Sequence, residues 1–351
     1  MSKKRKVHEG HDLNSDFIMM TMPLLAIALF LYGPRVLILA LVAGVTAKVA
    51  DRFAAMLRSR KYDSTENSST MIAMIITLML PASVGMHIVI VAVLVGVLVG
   101  KEAFGGAGGY PFNPAAVGYC MAAVSWPEQI FRYPQPINWV TITDWSWQGM
   151  MSRFRFEGAA LLEGPSTTLK NGGIPNVQLM DLLLGYHPGP LGATCVIVII
   201  SCAVFLCVRK RLPLAAPLSF LLTVALFAFL FPRVPQGAWR VLPWHNWESR
   251  LISLQYEALS GGIVFASVFL VGEPCTLPKN TKARVIYGAL LGFAVVMFRY
   301  YGTYELGTCF ALLMVNAVSG YFDRALATHD AKKEKGEKKR EGKDEKGVAN
   351  A

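Results

Sequence analysis

The feature that most constrains this chain is the alternation between long apolar runs and clusters of lysine and arginine. Ten stretches are apolar enough to be membrane spans: 17–34, 35–50, 70–84, 86–100, 112–126, 191–208, 213–231, 259–272, 284–299 and 304–321. A helix needs about 20 apolar residues to cross a bilayer, so several of these are short. Short segments are tolerated only where they pack inside a bundle or line a cavity. The basic residues fall between the runs in a fixed rhythm. Lys3, Lys4, Arg5 and Lys6 precede the first; Arg52, Arg58, Arg60 and Lys61 follow the second; Lys101 follows the fourth; Arg209, Lys210 and Arg211 follow the sixth; Lys279, Lys282 and Arg284 surround the gap after the eighth; Arg324 and a lysine-rich tail follow the tenth. With ten crossings all of them lie on one side, which the positive-inside bias makes cytoplasmic. Both termini are then cytoplasmic, and two long loops, 127–190 and 232–258, are external.

Composition agrees with a membrane protein. Charged residues make up 16% of the chain, against about 25% in soluble proteins. The net charge of +11 is concentrated at the two ends. A polybasic flank ahead of an apolar run is ordinary membrane topology, so no nucleic-acid partner is expected. Residues 1–16 are read as a basic cytoplasmic N-terminus, and 325–351 as a disordered tail. Nothing small and A-x-A-like closes the first apolar run, so no cleavable signal peptide is expected. The six cysteines form no C-x-x-C pair and lie mostly in apolar runs. They read as packing residues, with no disulfide or iron–sulfur cluster held by this chain alone. No His, Cys, Asp and Glu spacing suits a metal, so none is expected. The GGAGG at 105–109 lacks the G-K-[ST] of a phosphate loop and is not read as a nucleotide site.

The two halves echo one another. NPAAVGY (113–119) is similar to VNAVSGYF (315–322), and TLMLPAS (77–83) to FLVGEPC (269–275). Five spans per half is an odd number, so the second copy is inverted. The expected fold is an all-α polytopic membrane protein of about ten helices in two inverted five-helix repeats. They occupy 17–126 and 191–324, with the external loop 127–190 between them. Such repeats place sites near the midplane, at helices broken by Gly and Pro. The candidate breaks are GKEAFGGAGGYPFNP (100–114) and VGEPCTLP (271–278).

Several polar residues stand out against this background. Asn113 and Asn316 occupy equivalent repeat positions, where they would either bridge a broken helix or line a flavin or ion site. Glu273 and Glu305 are carboxylates at span ends and are candidates for an ion pathway. Arg299 lies opposite the positive-inside bias and therefore wants a specific partner, a phosphate or Glu305. In the longest loop, three hydroxyls, Ser166, Thr167 and Thr168, sit between a Gly-Pro turn and a Lys-Asn-Gly-Gly turn. On residue type alone, this cluster is a capped turn on an exposed loop.

Four stretches carry a resemblance to a known family. GKEAFGGAGGYPFNPAAVGY (100–119) resembles the GK-x-x-FGG…FNPA-x-x-GY segment of the RnfD/NqrB membrane family. DLLLGYHPGPLGATCVIVIIS (181–201), GGIVFASVFLVGEPCTLP (261–278) and FRYYGTYELGTCFALLMVNAVSGYFDR (298–324) resemble three further family segments, in order. The length and short N-terminus fit the RnfD branch better than the NqrB branch. The resemblance implies a subunit, not catalytic alone, of a complex that passes electrons between ferredoxin and NAD⁺ and moves Na⁺ or H⁺ across a bacterial inner membrane. It implies FMN joined to a threonine by a phosphoester bond outside the cytoplasm, a flavin transferase that attaches it, and a further riboflavin. Partners would include iron–sulfur and FMN-bearing subunits.

The family's S-G-A-T-P-L, laid on Leu169, puts its flavin threonine on Thr167, with Thr168 the second choice. Pro165-Ser166 stand where the family has Gly-Ala, and Leu161 where it has an aspartate. Ser166, Lys170, Arg299, Asn113 and Asn316 are the further flavin-site candidates, with Lys170 able to meet a phosphate as a point charge. Two other readings stay open: a small-solute or ion channel built on the repeat, and a scaffold subunit without flavin.

Overall fold

A computed structural model describes residues 3–59, 65–137, 156, 160–171, 173–233, 247–302 and 307–324. These are mostly helical, with almost no strand, as expected. In the first half, α1 (Lys3–Tyr32) and α2 (Arg35–Leu57) are separated by Gly33-Pro34. Helix α3 (Ser68–Met79) stops at an extended Leu80 before Pro81. Helix α4 (Met86–Val95) runs on through a π turn, Gly96–Lys101, and a single 3₁₀ turn, Glu102–Phe104. Helix α5 (Pro114–Ser125) has Pro114 in its first turn and Asn113 as its cap, whose side chain accepts from the amides of Ala115 and Ala116 at 3.0 and 3.1 Å. Both choices are what an N-terminus favours. Helices α4 and α5 approach closely at Gly118: a Cβ there would lie 2.3 Å from the carbonyl oxygen of Ala92.

Between the halves lie a four-residue helical turn, Pro127–Ile130, a two-residue antiparallel pair, β1 (Tyr133–Pro134) with β2 (Leu161–Leu162), and two further short helices, α6 (Pro165–Lys170) and α7 (Leu179–Leu184). The second half contains α8 (Val196–Val208), α9 (Ala215–Leu230), α10 (Trp247–Leu259), α11 (Ile263–Phe269) and α12 (Thr281–Tyr301), followed by a helix over 308–324, α13.

A helix overlies part of each of the ten apolar stretches. Full crossings are fewer by length. Among the described residues, Leu13–Tyr32, Met86–Phe104 and Thr281–Tyr301 are long and apolar enough to cross a membrane, and α10 with α11, bent by 47°, make one more broken candidate. Helices α3, α5, α8 and α9 are shorter. The half-length helices α3 and α5 are largely buried against their neighbours, the condition under which short spans are tolerated.

One difference from the sequence expectation positions the site. Hydropathy puts the eighth span over 259–272 and a loop over 232–258. Instead, α10 occupies Trp247–Leu259 and the chain turns at Gly261-Gly262 before α11. Both glycines adopt left-handed φ, +64° and +69°, a region that other residues enter at a cost of about 1–2 kcal/mol. Helix α10 escapes a hydropathy reading because the residues it buries, Arg250, Ser253 and Glu257, are all polar.

Candidate functional site

The three hydroxyls do not lie on an open loop. Pro165 starts a six-residue helix, α6, and they occupy its first turns. The expected flexible loop is thus a docked helical turn, because Pro165 is preset for a first helical position and one face of the turn finds partners. Ser166 is buried. Its Oγ accepts from Arg299 Nη2 at 3.1 Å and lies 3.5 Å from Ser260 Oγ, and Arg299 Nη2 also donates to Ser260 Oγ at 3.1 Å. The turn therefore rests on the bend between α10 and α11. Gly261 permits that contact: a Cβ would stand 2.5 Å from Ser166 Oγ and 2.8 Å from Arg299 Nη2.

Thr167 and Thr168 are both half-buried but face different ways. Thr167 lines a cavity of about 230 Å³, with Glu163, Ser166, Lys170, Asn171, Arg233 and Arg299. Thr168 lies against Gly173, whose amide donates to the Thr168 carbonyl at 3.0 Å. Lys170 is exposed and reaches the carbonyl of Gly302.

Behind the cavity is a buried ionic cluster. The Glu257 carboxylate, 2% exposed, takes two guanidiniums: Arg233 through Nε and Nη2 on one oxygen, and Arg299 Nη1 at 3.3 Å on the other. Arg299 Nη1 also donates to the Glu257 carbonyl at 2.7 Å, and Arg233 Nη1 to the Arg299 carbonyl at 3.1 Å. Arg233 is held flat by the Tyr300 ring, 4.6 Å from its centroid, a cation–π contact. The partner that Arg299 demanded is thus Glu257 together with Ser166 and Ser260; Glu305 lies outside the described residues. Arg233, Glu257 and Ser260 are not evident as site residues in the sequence. The only signal for them is the odd position of Arg299.

The remaining candidates form a separate site. The Glu273 carboxylate, expected at a solvated span end, is instead buried. Tyr110 Oη donates to its Oε1 and Asn113 Nδ2 to its Oε2, both at 2.6 Å, and Asn113 Nδ2 also reaches the Leu270 carbonyl at 3.2 Å. The first candidate break is thereby tied to the second. Asn316, by contrast, sits inside α13 and accepts from the Tyr287 hydroxyl. Asn113 caps a helix and Asn316 does not, so the two repeat positions have different local roles. Neither lines the cavity at Thr167. Among the described residues, no group of three or more His, Cys, Asp and Glu could hold a metal ion.

Comparison with known proteins places this architecture. Residues 4–332 match the model of the NQR2, RnfD, RnfE family. A protein of Pectobacterium atrosepticum, named as a subunit of an ion-translocating oxidoreductase complex, is 25% identical over 320 residues, covering 85% of this chain and 88% of the relative. A relative of the same name from Escherichia coli O1:K1 is 26% identical with the same coverage.

Proposed function

This chain belongs to the NQR2, RnfD, RnfE family, and from that premise we propose that it is the membrane electron-transfer subunit of an Rnf-type ion-translocating ferredoxin:NAD⁺ oxidoreductase, carrying FMN on Thr167. It would work with iron–sulfur and FMN-bearing subunits in a bacterial inner membrane, with both termini cytoplasmic and the α6 turn outside. The supporting observation is the placement of Thr167 on the wall of a cavity that also presents Lys170 and the buried Arg299. A phosphate on the Thr167 hydroxyl would meet positive charge at once, through charge-assisted contacts stronger than neutral ones.

The fit is to the phosphate end of the cofactor. About 230 Å³ is below the 300–1,000 Å³ of typical ligand pockets, so the cavity takes the phosphate and part of the ribityl chain and leaves the ring system outside it. FMN would supply electron-transfer chemistry that no side chain here offers. The chain's own residues hold the acceptor hydroxyl in place: Ser166, Ser260 and Arg299 fix the turn, and Glu257 fixes Arg299. Thr168, turned toward Gly173, is the second candidate acceptor. We assign Glu273 and Glu305 to the path of the coupling ion, Na⁺ or H⁺. Glu273 suits that role because its buried carboxylate joins the two halves at their breaks.

The test is co-expression with a flavin transferase, followed by in-gel flavin fluorescence of the denatured protein. The parent band should fluoresce and Thr167→Val should be dark. Two bright bands would move the acceptor to Thr168 or another residue. Two dark bands beside an active transferase would end the flavin reading and leave the channel or scaffold reading.

A further inference from the structure

Helix α8 ends in a turn that carries three cations. One face of the helix is buried, and Ile197, Ile200, Val204 and Val208 are exposed on the other. Their spacing of three or four residues makes them one continuous stripe, and Val208, 77% exposed, ends it. Arg209, Lys210 and Arg211 follow at once. The helix closes through them: the Arg211 amide donates to the Leu206 carbonyl and the Lys210 amide to the Cys207 carbonyl, each at 2.9 Å. This pair of bonds sets Lys210 at the position where helices favour glycine, with a left-handed φ of +57°. A lysine is strained there. The turn is held from outside. Asp16, buried in α1, takes Arg209 Nη2 at 3.3 Å on one oxygen and Arg211 Nε at 2.9 Å on the other. Arg209 also lies over the Phe205 ring, 5.6 Å from its centroid. One carboxylate thus grips both neighbours of Lys210, and the lysine between them is exposed. A strained residue that its surroundings enforce points to a functional position.

We propose that this turn and the stripe that runs into it bind one anionic phospholipid, with an acyl chain along Ile200, Val204 and Val208 and the phosphodiester at Lys210 and Arg209. Two complementarities select that occupant. The stripe is apolar and the turn is basic, so the ligand is apolar at one end and anionic at the other. A net-neutral lipid satisfies the stripe alone, and an acidic protein the turn alone. The Arg209 side chain is 51% exposed, so it can face a phosphate while it keeps Asp16. The positive-inside bias puts the turn in the cytoplasmic leaflet, where anionic lipids attract basic segments. No flavin takes part, so the outcome leaves the electron-transfer reading untouched.

The test is native mass spectrometry of the full-length chain in detergent with equimolar dioleoyl phosphatidylglycerol and dioleoyl phosphatidylcholine. Phosphatidylglycerol should be retained about fivefold more often, the worth of one basic side chain near an anionic surface. Lys210→Gln should bring the ratio close to unity. Lys282→Gln, at another exposed lysine on the same side, should leave it unchanged. Lys210→Gly separates the conformation from the charge. Glycine accepts a left-handed φ freely, so this variant should unfold at a higher temperature without lipid and yet lose the preference. The absence of a preference overturns the proposal and leaves the turn to an acidic protein. A preference that survives Lys210→Gln, or that Lys282→Gln abolishes equally, overturns it as well. So does displacement of phosphatidylglycerol by an equal concentration of glycerophosphoglycerol, the headgroup without its chains, because the stripe would then contribute nothing. A lower unfolding temperature in Lys210→Gly would make the lysine a structural part of the turn and would also overturn it.

Discussion

Each half of this molecule buries an ionic cluster, and the two are built in opposite ways. In the first half a single amine, Lys101, is fully buried where the π turn ends. Its Nζ lies 3.2 Å from Asp51, 2.7 Å from Glu66 and 3.3 Å from Glu102, and donates to Ser69 Oγ at 2.8 Å. Ser69 in turn donates to Asp51 at 2.6 Å, and Arg58 closes the far side of Glu102 at 3.2 Å. An ammonium has three donors, and here all three are engaged by the protein. In the second half one carboxylate, Glu257, holds two guanidiniums beside a cavity. In one cluster a single buried amine gathers three carboxylates; in the other a single buried carboxylate gathers two guanidiniums beside a cavity. A buried ionic group is therefore informative about function only once its partners and its neighbouring space are both known.

Removing a cation should cost unequal amounts in the two clusters. In Lys101→Met, three carboxylates lose their shared partner, two of them well buried. Breaking a buried pair from one side costs about 3–5 kcal/mol, so this substitution should lower the unfolding temperature in detergent more than Arg299→Gln or Arg58→Gln, or prevent folding. In Arg299→Gln, Glu257 keeps Arg233. The loss is then the Arg299 pairing with one Glu257 oxygen and the bonds to the Glu257 carbonyl, Ser166 and Ser260, with Glu257 still paired to Arg233. The variant should fold, with the α6 turn released, and trypsin cleavage at Lys170 should accelerate relative to the parent. If Arg299→Gln proves as damaging as Lys101→Met, the distinction between a cluster built on one cation and a cluster built on one carboxylate fails.

The same contrast separates what is legible in the sequence from what is not. The apolar runs are legible because lipid imposes a length and a composition. The family is legible because four motifs stand in order. Thr167 is legible only as a motif position, not as part of a docked turn. Arg299 is visible as an anomaly, an arginine closing the outer end of an apolar run. Its partner is not, since Glu257 lies 42 residues earlier in a stretch that hydropathy makes a loop. Their meeting depends on the bend at Gly261-Gly262, and no local pattern states where a bent helix pair will point. Glu273 misleads differently. A carboxylate after an apolar run looks solvated, and its burial depends on Tyr110 and Asn113 from the other half of the chain. Local order carries the elements, whereas long-range pairing makes the sites.

A third substitution, with the mildest consequence, probes the rim of the first-half cluster. Arg58 pairs with Glu102 at 3.2 Å, but its own side chain is 35% exposed. It also donates to the Glu102 carbonyl. Water can replace much of what an exposed guanidinium offers, and ion pairs of this kind contribute about 0–1 kcal/mol. Arg58→Gln should therefore shift the unfolding temperature only slightly, and less still at high salt, where exposed charges are screened. Lys101→Met, with its partners out of reach of salt, should keep its full effect under both conditions. Measuring both variants across a salt series places the cluster's stability either at the buried amine or at its rim. A large, salt-sensitive loss in Arg58→Gln would show that the first-half cluster depends on its exposed edge and not on the buried amine.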